Sequence, residues 1–342
     1  MLSMDPRGFP TSLPEFQRVF PDETACEVYL ERLRWPNGFV CPKCSWQGEP
    51  HRFSKRSSVV LRCRDCHSNI SLMADTVMQG SHALLCRWFW GAYLVTTNTP
   101  GMSALLFQRQ LGITRYETAF QMFHKLRSSM IRPDRDTIGG QYPVEVDETY
   151  VGGRTRGEGR GVHHKATVVG SVEVRRRRDD EDRVARGRRE HDGGKPLKRP
   201  TYGGRLRLRV VPDRQGHTLE KFVVESVTRG SEVRTDGWQG YDNLVNIGYR
   251  HQPIVMDGDP ERAEEHLPMI HLVFSNLKTW LRGTHHGVSQ RHLQAYLNEY
   301  VFRFNRRFYP TTAFNSVLGL AAHSVAPTYD ALYSGAWVHP NQ

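Results

Sequence analysis

Four cysteines in two tight pairs, Cys41-Pro42-Lys43-Cys44 and Cys63-Arg64-Asp65-Cys66, constrain this chain more than any other feature. Eighteen residues separate the pairs. At that spacing two short knuckles each present two thiolates to one tetrahedral zinc ion. Phe53 and the alternating stretch Val59–Leu61 supply the small strands such a module needs. Cys26 and Cys86 lie in apolar, helical-looking sequence and read as buried thiols. The set fits a reducing compartment in which zinc, not disulfides, holds the front module.

Lys and Arg outnumber Asp and Glu by 47 to 36, a net charge of +11. A surplus of this size favours a polyanion as partner, and nucleic acid before others; charge alone also fits an ordinary basic enzyme. No run of 18 apolar residues is present, so no membrane span is expected. The opening Met1-Leu2-Ser3-Met4-Asp5-Pro6 lacks a basic region followed by an apolar core and does not read as a secretion signal. A cytoplasmic protein is expected.

Residues 13–35 predict a helical lead-in that Pro36-Asn37-Gly38 breaks. Residues 82–97, rich in Trp88, Phe89, Trp90 and Tyr93, suit a buried helix. Residues 103–130 read as helix-turn-helix. Ser103 is placed to cap the first helix and Gly112-Ile113-Thr114 to make the turn. Thr114 would cap the second helix, with Glu117 completing a capping box. That second helix carries Arg115, Tyr116, Gln121, His124, Lys125 and Arg127, the content expected of a helix entering a major groove. Any two amphipathic helices joined at a glycine give the same pattern.

From residue 142 the period changes to that of strands: Val144–Val151, Ala166–Val174, Leu206–Val211 and Ser231–Thr235. Residues 217–229, 269–283 and 289–307 predict helices. The segment 175–204 is Arg, Asp, Glu, Gly and Lys with almost no apolar residue, and reads as a surface insertion.

Asp147 lies mid-strand between apolar neighbours, and Asp236 follows another strand. A carboxylate in a core strand is costly unless it is paired or bound to metal. Two on separate strands of one sheet can converge on Mg²⁺ or Mn²⁺, the arrangement that activates a water or a 3′-hydroxyl for attack on a phosphodiester. Asp236-Gly237 is also a turn signal, so Asp236 alone reads as an ordinary turn residue. Glu148 points to the opposite strand face from Asp147 and is not taken as a ligand. Trp238 and Tyr241 either pack the site or stack on an unpaired base; core packing is the commoner role of an aromatic.

Four stretches together carry a resemblance: Val146-Asp-Glu-Thr-Tyr-Val-Gly-Gly153, Thr235-Asp-Gly-Trp-Gln-Gly-Tyr241, Ser275-Asn-Leu-Lys-Thr-Trp-Leu-Arg-Gly-Thr-His-His-Gly287 and Leu293-Gln-Ala-Tyr-Leu-Asn-Glu-Tyr-Val-Phe-Arg-Phe-Asn-Arg306. From the cysteines to about residue 320 the chain resembles bacterial insertion-sequence transposases of the DDE/RNase H-like superfamily, in the zinc-ribbon-bearing group related to Merlin transposases. The resemblance implies an α/β fold in which an RNase H-like catalytic domain, a mixed sheet flanked by helices, follows a zinc ribbon and a helix-turn-helix region. The implied boundaries are 1–38 for the lead-in, 39–75 for the ribbon, 80–132 for the helix-turn-helix region and 140–325 for the catalytic domain with its basic insertion 175–204.

Such sites normally carry a third acidic ligand seven residues before a Lys. Here the Lys is Lys278, and the residue seven before it is His271. Two turns of helix place both on one face. Some members of the group replace the acid with His or Asn, so the implied set is Asp147, Asp236 and His271 as ligands with Lys278 on a phosphate. Asn276 is a rival on another face, and Glu264 and Glu265 are rivals that Pro268 separates from the helix. His285 and His286, in a glycine-flanked loop, read as DNA-backbone or structural contacts. The implied activity is DNA transposition, a form of DNA recombination: metal-dependent strand cleavage and strand transfer at terminal inverted repeats, by a homodimer or higher synaptic assembly acting on double-stranded DNA in the cytoplasm, on the nucleoid. A catalytically inactive or domesticated zinc-ribbon DNA-binding protein, and a nuclease that shares the sheet but lacks strand transfer, are the alternatives.

Overall fold

The computed structural model describes residues 10, 12–55, 58–132, 136–152, 165–176, 200–254, 266–309, 312–324 and 327–334. Two compact units divide the chain, one built from 1–135 together with 306–342, the other from 136–305.

In the first unit, helix α1 (Leu13–Val19) starts at Ser12, whose hydroxyl accepts from the Glu15 amide, and α2 (Glu23–Arg34) starts at Asp22, which does the same for Ala25. These caps satisfy amides that the first helical turn leaves without partners. Strands β1 (His51–Lys55), β2 (Ser58–Arg62) and β3 (Asn69–Ser71) form an antiparallel three-stranded sheet. Helix α3 (Leu85–Thr97) is buried through Trp88, Phe89, Ala92 and Tyr93.

Helices α4 (Ala104–Gln110) and α5 (Tyr116–Ser128) meet at a turn in which Gly112 adopts a left-handed φ of +60°. Ser103 caps α4 as expected, and the rings of Phe107 and Phe123 stack 5.0 Å apart between the helices. The expected Thr114 capping box does not form. The cap position is Arg115, which makes no side-chain cap bond, and the Thr114 carbonyl accepts from Gln108 across the turn. His124 and Arg127 are buried rather than displayed; the exposed residues of α5 are its first, Tyr116 to Thr118, after exposed Arg115.

The second unit is a five-stranded sheet in the order β6-β5-β4-β7-β8, made of β4 (Val144–Val151), β5 (Ala166–Arg176), β6 (Thr201–Val211), β7 (Glu232–Thr235) and β8 (Arg250–Pro253). β4, β5 and β6 run antiparallel; β4, β7 and β8 run parallel. This is the expected mixed sheet. Strands β5 and β6 reach further into 175–204 than expected, because Arg175 and Arg176 pair with Tyr202 and Thr201, and buried Glu173 accepts from Arg175 and Arg205. Hydrogen bonds and ion pairs extend the ladder where no apolar pattern signals it. The remainder, 177–199, lies outside the described residues, as do Glu264 and Glu265. The short polar β8 has no apolar alternation to mark it in the sequence.

Helix α6 (Gly216–Ser226) and a 3₁₀ turn (Gln239–Leu244) cover one face of this sheet. Helices α7 (Pro268–His285) and α8 (Gln290–Arg306) cover the other. Strand alternation sorts the residues: Val144, Val146 and Val169 pack with Leu219, Phe222 and Val223 of α6, while Val168, Val172, Leu206 and Leu208 pack with Ile270, Val273, Phe274 and Leu277 of α7. α7 outruns its expected end at 283. His285 is its last residue, its ring packed edge-on against Trp280 and Tyr296, and His286 closes the helix in the left-handed region with φ 55°.

After residue 305 the chain returns to the first unit, so the expectation of a catalytic domain reaching 325 does not match the packing. Helix α9 (Ala313–His323) places Phe314 among Phe16, Phe20, Phe89 and Tyr93, with ring centroids 5.7–6.3 Å away. A short α10 (Tyr329–Ser334) follows. Among the described residues no helix is long and apolar enough to cross a membrane.

Gly170 of β5 sits directly beneath α7. A Cβ there would lie 2.9 Å from Leu208 Cδ2 and 3.0 Å from both Ile270 Cδ1 and Phe274 Cε1. Gly170→Ala is therefore expected to destabilise the sheet unit by about 1–3 kcal/mol, read as a lower midpoint in chemical denaturation.

Candidate functional site

The four cysteines converge. Cys41 Sγ lies 3.7 Å from Cys66 Sγ and Cys44 Sγ 3.6 Å from Cys63 Sγ, with all four sulfurs within 4.8 Å of one another. A tetrahedron with Zn–S bonds of about 2.3 Å has edges of about 3.8 Å, so the thiolates fit a structural zinc ion. The knuckles are built alike. The residue after each pair, Ser45 and His67, takes a left-handed φ of 63° and 58°. The Cys41 and Cys63 amides each bond back across their own knuckle, to Trp46 O and Ser68 O. Helix α2 is tied to the ribbon: Glu27 accepts from the Val59 amide, and Glu31 takes both ends of the Arg52 guanidinium.

The acidic residues lie where β4 runs alongside β7. Val144 pairs with Val233 and Glu145 with Arg234 in parallel register. Asp147 and Asp236 stand three residues beyond Val144 and Val233, so the same offset brings them level. Alternation along β4 sends Glu145, Asp147, Thr149 and Val151 to the α7 side and Val144, Val146 and Glu148 to the α6 side. Asp147 is buried, and one of its oxygens accepts from the Glu148 amide. Its Oδ2 is 3.8 Å from His271 Nε2 on the first turn of α7. Burial first, then the charges of Glu148 and Asp236, push the Asp147 carboxyl up to about 8. Asp236 does make the turn its sequence signals: its Oδ1 accepts from the Trp238 amide, with Gly237 at φ 76°.

Lys278 lies two turns along α7 from His271. Its ammonium is pushed down, first by burial and then by Lys165, while Asp147 pulls it up. Asn276 is exposed and points elsewhere: at 100° per residue it sits about 160° around the helix from Lys278. The structure thus brings together Asp147, Asp236, His271 and Lys278, and leaves Asn276 outside the group.

Glu148 takes no part in that group. Its carboxylate accepts from Arg214 and, at 2.6 Å, from the Tyr241 hydroxyl. Tyr241 is fully buried, as core packing requires. Trp238 is not core: it is 43% exposed, with the Arg214 guanidinium 4.7 Å over its ring and its Nε1 donating to the Arg214 carbonyl. A polar edge satisfied by backbone lets the indole stay at the surface.

Glu145 was missed by sequence reasoning. It is fully buried, and its Oε2 accepts from the Met269 and Ile270 amides, each at 2.8 Å. No side chain of α7 itself caps that end. Glu145 therefore supplies the cap from the strand two residues before Asp147, although burial still pushes its carboxyl up to about 7. The signal was present: in Val-Glu-Val-Asp the same alternation that buries Asp147 buries Glu145, so both need partners. Nothing in the sequence marked Arg214 as the partner of Glu148.

Residues 138–305 match the ISXO2-like transposase domain, ending where the sheet unit ends, and residues 21–69 match the transposase zinc-ribbon domain, which takes in α2. A Halobacterium salinarum protein described as an uncharacterized protein in transposable element ISH50 is 28% identical over 293 residues, covering 84% of this chain and 92% of the relative. No solved structure matches. The two domain matches together cover more than half of the chain, and with them the chain belongs to the insertion-sequence transposases that carry a zinc ribbon ahead of a DDE-type domain.

Proposed function

We propose that Asp147, Asp236 and His271 hold the divalent cation of a strand-cleaving and strand-transferring transposase, with Lys278 on the phosphate under attack. The observation that carries this reading is the meeting of three elements at one point: Asp147 mid-strand, Asp236 level with it on the parallel neighbour, and His271 Nε2 3.8 Å from Asp147. That separation exceeds a hydrogen bond, and suits two donors that each reach one ion at about 2 Å. A second carboxylate close enough to raise the proton affinity of buried Asp147 also favours a cation between them.

Mg²⁺ or Mn²⁺, when bound, supplies an activated water or 3′-hydroxyl and stabilises the leaving oxygen. Imidazole in place of a third carboxylate leaves the site less negative and inclines it to Mn²⁺. The chain's own residues do the rest. Glu145 holds the start of α7, and so His271, against β4. Lys278 projects from the same face of the helix and neutralises phosphate charge. The terminal inverted repeats are read by the zinc ribbon and by the exposed start of α5, and joining two ends calls for a homodimer or larger synaptic assembly.

Strand cleavage of a duplex bearing the element's own terminal repeat tests the site. Asp147→Ala and His271→Ala are expected to lower the rate by more than about 10²-fold with DNA binding intact, while Asn276→Ala leaves it within about 3-fold. Full cleavage by Asp147→Ala would refute the assignment. Tight binding without cleavage by the wild type in either metal would identify a DNA-binding protein with a dead site.

A second prediction concerns pH. Asp147 keeps its proton in the folded state up to about 8, whereas an unfolded Asp releases it near 4. The native state then binds more protons across that window, and stability falls as pH rises through it. Without added Mg²⁺ or Mn²⁺, Asp147→Asn is expected to melt above the wild type at about pH 8 and level with it at about pH 4. Adding Mn²⁺ should raise the wild type alone. Equal melting at both pH values would remove the charge conflict from the site.

A further inference from the structure

The polar face of α7 does not stop at Lys278. His271, Ser275, Lys278 and Arg282 recur at intervals of four, three and four, one stripe along the helix, and His286 closes it. The apolar residues of α7 lie on the opposite side, against the sheet. The later half of the stripe lines a cleft of about 700 Å³. Val151 and Gly152 at the end of β4 and Lys165 just ahead of β5 form its other wall, and among the described residues none that lines it is acidic.

Cations near a helix C-terminus are favoured by the helix dipole whatever their function, which accounts for Arg282 on stability grounds alone. It does not account for Lys165, which comes from the sheet side and faces Lys278 across the cleft, close enough to depress that ammonium. Asp147 acts on Lys278 from the side of the acidic group, but among the described residues no carboxylate lines the cleft itself, and like charges held together in this way call for an anion. Lys278 belongs to both places, so the cleft opens from the group around Asp147.

On the reading that this group is the cleavage site, we infer that the cleft binds the phosphodiester backbone of the DNA strand running away from the scissile phosphate, with Lys165, Arg282 and His286 on phosphates beyond the one at Lys278.

The test uses the full-length, zinc-loaded protein and a duplex carrying the terminal repeat with its flank, titrated by fluorescence anisotropy across a salt series. Lys165→Ala and Arg282→Ala are each expected to flatten the slope of log Kobs against log salt by about 0.9, while Lys165→Arg and Arg282→Lys keep it. Unchanged melting temperatures would show that the variants fold. A neutral methylphosphonate, moved one position at a time along the flank, should weaken the wild type at a contacted phosphate and leave the matching Ala variant unaffected at that position. Slopes that do not move, or losses that simply add, would overturn the proposal. So would inorganic phosphate raising the melting temperature through Lys165 and Arg282 while the DNA slope stays fixed; the cleft would then be a small-anion site.

Asp147→Ala, run in parallel, separates the two readings. Cleavage lost in Asp147→Ala with slopes unmoved in the cleft variants sinks the cleft alone. Slopes flattened while Asp147→Ala still cleaves keeps the cleft as a DNA groove and moves the chemistry elsewhere.

Discussion

Strand β4 carries three carboxylates through the middle of a folded unit, and the surrounding structure is arranged around that cost. An unpartnered charge in a protein interior costs several kcal/mol, far more than a typical surface contact returns. Each of the three meets a different answer. Glu145 receives the two amides at the start of α7. Glu148, on the other face, receives the Arg214 guanidinium and the Tyr241 hydroxyl. Asp147 receives one backbone amide and otherwise faces Asp236 and His271, so it alone keeps a large upward displacement of its proton affinity from neighbours as well as burial. A strand that neutralises two acids and leaves the third facing another acid is what the proposed cation site would require.

The same contacts fix the geometry of that third acid. Because Glu145 and Asp147 are two residues apart, they share a face, and the bond from one to α7 sets the distance from the other to His271. Gly170 completes the arrangement from below: with no Cβ, it lets Ile270 and Phe274 sit low on the sheet. The parallel pairing of β4 with β7 brings Asp236 level without any contribution from α7. Three independent constraints therefore act on one point, the kind of support by which a group of side chains is held in fixed geometry.

How much of this was legible in the sequence depends on how local the cause was. The cysteine spacing gave the ribbon, because a knuckle is closed by four consecutive residues. The seven-residue interval from His271 to Lys278 gave their common face, because helical geometry alone decides it. Strand alternation put Glu148 opposite Asp147 and would have exposed Glu145 as a second buried acid had it been applied one step further. What stayed hidden was non-local. The Thr114 cap failed because the turn's carbonyl was committed to Gln108, and the ends of β5 and β6 are held by Glu173 and its arginines rather than by an apolar pattern. The return of residues after 305 to the first unit rests on Phe314 finding an aromatic cluster assembled from α1 and α3.

Charge along α7 follows the field of the helix itself. Its N-terminus, partially positive, meets the Glu145 carboxylate, and its C-terminal half carries Lys278 and Arg282 toward the partially negative end. A row of cations that would repel one another on a sheet edge is thus partly compensated by the element that presents it, and the basic stripe costs the fold little. The acids of the site receive no such help: Asp147 and Asp236 sit on strands, whose dipoles alternate and largely cancel. The fold tolerates its cations through backbone electrostatics and leaves its central pair of anions without an equivalent source of relief. On the proposed reading, a polyanion with its accompanying divalent cation would answer both halves of this arrangement at once.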